Sequence, residues 1–122
     1  MNFKGIKSNL IKYIMMNCYE HTMIAKQDLQ ESQAQSLLEK YKNIISENSG
    51  KVLKTENWGL RNFSYKIKNN KKGLYFHIKF EGVGKTIEEL EKAENIDQML
   101  IRFLTVKVKK HDLKKEFFDK KE

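Results

Sequence analysis

The sequence predicts an α+β fold, a ferredoxin-like βαββαβ chain with a four-stranded antiparallel sheet and two helices on one of its faces. Three observations carry that expectation. From Ala34 to Ile45 the apolar residues recur every three or four positions, the period of a helix. From Leu74 to Glu81 apolar and polar residues alternate strictly, the period of a strand. Breaker-rich stretches ("NSG", "NNKKG", "GVGKT") then divide the chain into strand, helix, strand, strand, helix, strand.

Taken in order, Tyr19 to Lys26 reads as a strand with Met23 and Ala25 on one face. Glu20, Thr22 and Lys26 lie on the other, and Ile24 breaks the pattern. The first helix gathers Ala34, Leu37, Leu38, Tyr41, Ile44 and Ile45 on one stripe, with Ser32 as its expected cap and Gly50 as its left-handed stop. "KVLKTENW" reads as a strand partly covered on both faces, and "FSYKI" continues it beyond a break at Gly59. "NNKKG" supplies a turn. In the next strand Leu74, Phe76, Ile78 and Phe80 face the core, leaving Tyr75, His77, Lys79 and Glu81 as a polar outer face. Thr86 and Glu89 have the spacing of a capping box. The helix they open has a thin stripe (Ile87, Leu90, Ala93), so weak packing is expected. "IRFLTVKV" closes the domain with Leu104, Val106 and Val108 on one face. Right-handed crossovers place both helices on the same side and leave the second sheet face free.

A chain of 122 residues with 39% hydrophobic and 33% charged residues fits one soluble domain. No apolar run approaches the roughly 20 residues that span a bilayer, so no membrane partner is expected. The single cysteine, Cys18, offers no internal disulfide and suits a reducing cytoplasm. The first residues mix lysines into an apolar stretch without a signal-peptide core, so no export is expected. Residues 1–15 and 111–122 read as lysine-rich flanks, expected to be disordered, around a domain at 16–110.

The formal charge of +8 is unevenly placed. Lys51 to Glu81 holds eight bases against two acids, whereas Met16 to Gly50 holds three against five. Such a stripe is the footprint of a polyanionic partner. Its centre is an extended hairpin bearing Arg61, Lys66, Lys68, Lys71 and Lys72, interleaved with Trp58, Phe63 and Tyr65. Basic side chains on a strand edge suit phosphate contacts, and they also deter sheet-to-sheet aggregation.

Other motifs carry less. "GVGKT" follows a strand and precedes a helix, as a phosphate-binding loop does, but that loop needs a glycine where Lys79 stands. "KGLYFHIKF" resembles a strand of the RNA-recognition motif, yet its Phe76 and Phe80 lie on the core side, where bases cannot stack. A free module of that type is the alternative reading. Cys18 and His21, three apart on a strand, face opposite ways; His77 shows no carboxylate partner on its face; His111 lies in the tail. No enzyme, metal, cofactor or small-molecule substrate is expected.

The segments "MNCYEHTMIA", "WGLRNFSYKIKNNKKGLYFHIKFEG" and "IRFLTVKV", in this order, resemble the bacterial small-subunit ribosomal protein six family over about residues 16–110. The resemblance implies a ferredoxin-like fold and a structural role in the small ribosomal subunit, in the cytoplasm. It also implies binding to the central domain of small-subunit rRNA together with ribosomal protein eighteen. Carried over by position, the family's basic pattern falls on Arg61, Lys66 and Arg102; Lys68, Lys71 and Lys72 come from the charge map. Trp58 stands where the family more often has an aliphatic residue, and Lys66 where proline is common.

Overall fold

The computed structural model describes residues 16–110, so the expectations for residues 1–15 and 111–122 lie outside the described residues. The elements are β1 (Asn17–Lys26), α1 (Glu31–Glu47), β2 (Lys51–Ile67), β3 (Asn70–Gly82), α2 (Gly84–Asn95) and β4 (Leu100–Val108). The four strands form one sheet in the order β2-β3-β1-β4, every neighbouring pair antiparallel. This is the ferredoxin-like arrangement the sequence predicts.

The core lies between the helices and one face of the sheet. Met23 and Ala25 of β1 and Phe76, Ile78 and Phe80 of β3 meet Leu37, Tyr41 and Ile45 of α1 there. Met23 pairs with Phe76 and with Phe103, which puts the odd-numbered residues of β1 and β4 and the even-numbered ones of β3 on this side. Leu104, Val106 and Val108 therefore share a face, as the alternation implies, but it is the open one. Leu104 is 62% exposed and Val106 47%. The core of β4 is instead Leu100 and Ile101.

Several boundaries depart from the sequence reading. The cap of α1 is Gln30, whose backbone N–H donates to Gln33 Oε1 at 2.9 Å; Ser32 already lies inside the helix. After α1 the left-handed conformation falls on Ser49, at φ 66°, not on Gly50. Gly50 is required for space. A Cβ there would stand 2.6 Å from Ile45 Cγ2 and 2.8 Å from Thr86 Cγ2. Helix α2 begins one turn earlier than the Thr86 cap, with Gly84 of "GVGKT" as its first residue. Thr86 lies inside that turn: its hydroxyl accepts the Val83 N–H at 3.0 Å and donates to Asn48 O at 2.6 Å. The helix buries little apolar surface, with Leu90 its one fully buried aliphatic side chain, but Thr86 and Glu94 are buried as well.

Strand β2 runs unbroken through the expected break. Gly59, at φ 78°, belongs to a bulge between Asn57 and Gly59. The hairpin turn is Lys68–Asn69, at φ 48° and 65°, and Asn70–Gly73 already belong to β3. Two central residues with positive φ match the right-handed twist of the flanking strands.

The two glycines give separable expectations in urea unfolding. Gly50→Ala should lower stability by about 2 kcal/mol, because backbone and buried side chains must move to admit a methyl group. Gly59→Ala meets nothing within 4 Å and should cost only the roughly 1 kcal/mol of a left-handed backbone. Equal midpoints for wild type and Gly50→Ala would overturn the steric reading.

Candidate nucleic-acid interface

The hairpin of β2 and β3 presents the basic residues as one arm. Lys66, Lys68, Lys71 and Lys72 are all exposed, and no acidic residue lies between Asn57 and Phe80. The turn geometry places Lys68 at the tip, where Asn70 Nδ2 donates to the Lys68 and Ile67 carbonyls at 2.9 and 3.2 Å. Strand pairing is irregular between Asn62 and Ile67, the stretch that carries Lys66. Arg61 is half-buried nearer the root, its Nε donating to Trp58 O at 3.1 Å. These five residues are brought together.

Arg102 is not among them. It is exposed on the open face of β4, opposite Ile24, which in turn pairs with Tyr75. Two strand spacings and the five-residue reach from Tyr75 to the tip put it roughly 20 Å from the turn. Its neighbours on that face are Ile24 across the strand and Leu104 along it, not the hairpin lysines.

The open face over β2 and β3 is closed by the protein's own aromatics. The bulge lets Trp58 stack on His77, centroids 4.6 Å apart, and on Tyr75 at 6.3 Å. Phe63 also approaches Tyr75, tilted, with ring centroids 6.2 Å apart. Trp58 Nε1 donates to Glu56 Oε1 at 2.9 Å, and Lys79 Nζ approaches Glu56 Oε2 at 3.7 Å. His77 and Lys79, expected on a polar outer face, are therefore buried. Trp58 and Phe63 thus brace the hairpin root from the open side, while Tyr65 is 85% exposed.

His77 also has the carboxylate that the sequence did not show. Its Nε2 donates to Glu20 Oε1 at 3.0 Å, and its Nδ1 accepts from the Thr22 hydroxyl at 3.0 Å. Glu20 and Thr22 sit on β1, more than fifty residues away in the chain, and only the sheet register reveals the grouping. Burial pushes the imidazole below its ordinary 6.5, and Lys79 adds to that. The hydrogen bond and charge of Glu20, and the charge of Glu56, act in the other direction. The result is a neutral structural histidine bridging two strands.

Cys18 and His21 face opposite sides, as expected. His21 is fully buried against α2 and β4, its Nε2 donating to Glu94 Oε2 at 2.5 Å and its Nδ1 meeting the Thr105 hydroxyl at 2.6 Å. Among the described residues no group of three histidine, cysteine or acidic side chains is placed to hold a metal ion. None of their helices is long and apolar enough to cross a membrane.

With this geometry in place, comparison with known proteins is decisive. A family model for ribosomal protein S6 matches residues 18–107. The chain belongs to the ribosomal protein S6 family. It is 52% identical over 107 residues to the small ribosomal subunit protein bS6 of Pelagibacter ubique, covering 88% of both chains. It is 40% identical over 97 residues to the corresponding protein of Bartonella bacilliformis, covering 80% of this chain and 71% of the relative. Among solved structures, the 30S ribosomal protein S6 of Thermotoga maritima superposes with a TM-score of 0.73 at 33% identity, over 76% of this chain and 88% of that one.

The buried histidine gives an expectation with a definite sign. His77 binds its proton less readily folded than unfolded, so its share of stability is complete above 6.5 and is lost as pH falls through the folded value. Glu94, raised by burial, acts oppositely: its share is present below 4.5 and is lost as pH rises through its folded value. Residue-resolved NMR titration separates the two. The His77 midpoint should lie below 6.5, and Glu20→Gln should lower it further by removing the group that favours the cation. A midpoint that rises in Glu20→Gln would show the arrangement to be wrong.

Proposed function

We propose that this protein is a structural component of the small ribosomal subunit, working in the cytoplasm and holding the central domain of small-subunit rRNA through its β2–β3 hairpin. The observation that carries the reading is the arm of exposed Lys66, Lys68, Lys71 and Lys72, with half-buried Arg61 nearer its root and no intervening acid. Lysines on a projecting two-stranded arm reach phosphates without needing a groove, and each contact releases counterions. The curated relatives are named as small-subunit proteins, which fits such a role.

Ribosomal protein eighteen is the proposed protein partner. The support is the half of the open face that the aromatics leave bare. There Leu104 and Val106 stand exposed opposite Thr22 and Glu20 of β1, with Arg102 at one end opposite the buried Ile24. Exposed aliphatic rows of this kind suit a protein contact better than a sugar-phosphate backbone. Arg102 serves as the polar end of that strip and as a second RNA contact across the face.

A free RNA-recognition module is disfavoured on the same geometry. Phe76 and Phe80 are buried beneath the helices, and Tyr75 is half-buried against Trp58 and Phe63, so β3 presents no open aromatic platform for a base.

Salt titration of a central-domain RNA fragment with the partner-bound protein tests the proposal. Affinity should fall steeply with salt, and Lys68→Ala and Lys71→Ala should each reduce the slope by about one. Arg61→Ala and Arg102→Ala should each weaken binding by roughly 1–3 kcal/mol. A response indifferent to salt, or full affinity in all four variants, would end the hairpin reading. Leu104→Asp should weaken pairing with ribosomal protein eighteen by roughly tenfold or more while leaving the salt slope of RNA binding unchanged.

A further inference from the structure

Beside the hairpin tip lies an open cleft of about 950 Å³, between the turn at Lys68–Asn69, the end of β1 and the connection from α2 to β4. We infer that this cleft holds one unpaired nucleotide of the bound RNA and reads its base. The inference rests on the hairpin reading and goes beyond it by assigning base recognition to residues outside the hairpin.

The chemistry of the walls points to a base. Lys26, at the end of β1, and Lys68, in the hairpin turn, both line the cleft, and their ammonium groups suit phosphate. Between them Asn69, Asn95 and Gln98 contribute exposed amides, each offering two donors and one acceptor. That is the complement of a base edge, whereas phosphate alone would call for more cations. Ile96, 83% exposed, offers an apolar surface for the flat of the ring. The volume lies in the roughly 300–1,000 Å³ range of small-ligand sites.

The two carboxylates that line the cleft have different roles. Asp97 is committed to the fold: it accepts from Tyr41 Oη at 2.5 Å, from Lys40 Nζ at 3.2 Å and from the Met99 N–H at 2.9 Å. Burial would push its carboxyl up, but these donors hold it below its ordinary 3.8. Asp28 has no such engagement among the described contacts and is exposed. A carboxylate in that place accepts from an exocyclic amino group, so the occupant is a base that carries one.

The test uses the full chain with ribosomal protein eighteen and a central-domain rRNA fragment. Each unpaired nucleotide of the fragment is replaced in turn by an abasic one. For wild type, one position should show a roughly tenfold loss of affinity. In the double variant Asn95→Ala/Gln98→Ala that position-specific loss should vanish, while the salt slope stays that of wild type. Both substituted residues are exposed, and a urea midpoint equal to wild type confirms that the variant is folded. The inference is overturned if wild type and the double variant respond alike at every abasic position. It is also overturned if the double variant loses ribosomal protein eighteen and keeps its base preference, which would make the cleft a protein contact. Either result leaves the hairpin reading standing so long as Lys68→Ala/Lys71→Ala weakens binding. If that variant too binds as wild type does, the hairpin reading has failed as well.

Discussion

The buried pairing of His21 with Glu94 joins a central strand to the helix that has least apolar surface with which to hold itself down. Helix α2 commits one large aliphatic residue, Leu90, fully to the core. Polar pins at both ends supply the rest. At the N-terminal end Thr86 donates to the carbonyl of Asn48, the residue that ends α1. At the C-terminal end Glu94 meets His21, which also holds Thr105, so one imidazole ties β1, α2 and β4 together. One carboxylate oxygen, Glu94 Oε1, stays buried without a hydrogen-bond partner, and burial raises the group's pKa. A pair of this kind adds little net stability over an apolar replacement of both partners, though losing one partner is expensive. Its contribution is position, which matters for the segment that leaves α2. Three residues beyond Glu94, Asp97 is fixed by Tyr41 of α1, whose phenol is pushed far up by burial and by that carboxylate. Residues 95–99 are thereby held between Glu94 and the buried Leu100, with Asp97 anchored midway, beside the hairpin tip. The amides of Asn95 and Gln98 face the cleft because the chain on either side of them is tied to the core. The polar network under the helices thus also positions the chain beside the hairpin tip.

The other face of the sheet shows how one surface can serve two partners. The bulge at Gly59 turns Trp58 over His77 and Tyr75, and the stack removes the β2–β3 half of the face from contact. The β1–β4 half keeps its aliphatic strip, and the basic arm extends past the sheet's end. On the proposed reading the basic arm meets the polyanion and the aliphatic strip meets the protein, with Arg102 where the two surfaces adjoin. A free-standing RNA module would need its aromatics exposed on that face; here the same residue types brace the root of the arm.

The range of each interaction decides how much of it the sequence reveals. Periodicity is local, so the order of elements, the stripe of α1 and the core face of β3 are all legible. The side on which Leu104 and Val106 lie is not, since alternation tells which residues share a face but not which face is covered. His77 looks isolated for a related reason: its partners Glu20 and Thr22 sit on another strand, and only the register brings them within 3.0 Å. The helix ends differ on steric grounds. Gly50 reads as a left-handed stop because glycine most often is one, but Ser49 takes that conformation and Gly50 yields room to Ile45 and Thr86. Of the interface, the charged arm is legible because charge is read residue by residue. The cleft beside it is not, because Lys26, Asn69, Asn95 and Gln98 come from three separate loops and strand ends.

The basic arm also has an energetic consequence. Lys66, Lys68, Lys71 and Lys72 crowd one short hairpin with no acid among them, so in the free protein they repel one another across solvent. Screening at physiological salt limits that repulsion to neighbours within about 8 Å. The two-residue turn and the aromatic brace at the root keep the strands paired in spite of it. An RNA backbone laid along the arm removes the repulsion as it binds. The polyanion therefore stabilises the hairpin beyond its direct contacts, and a ligand that binds only the folded state raises that state's stability by mass action. An arm charged more heavily than an isolated hairpin favours is the form expected of one that meets a polyanion.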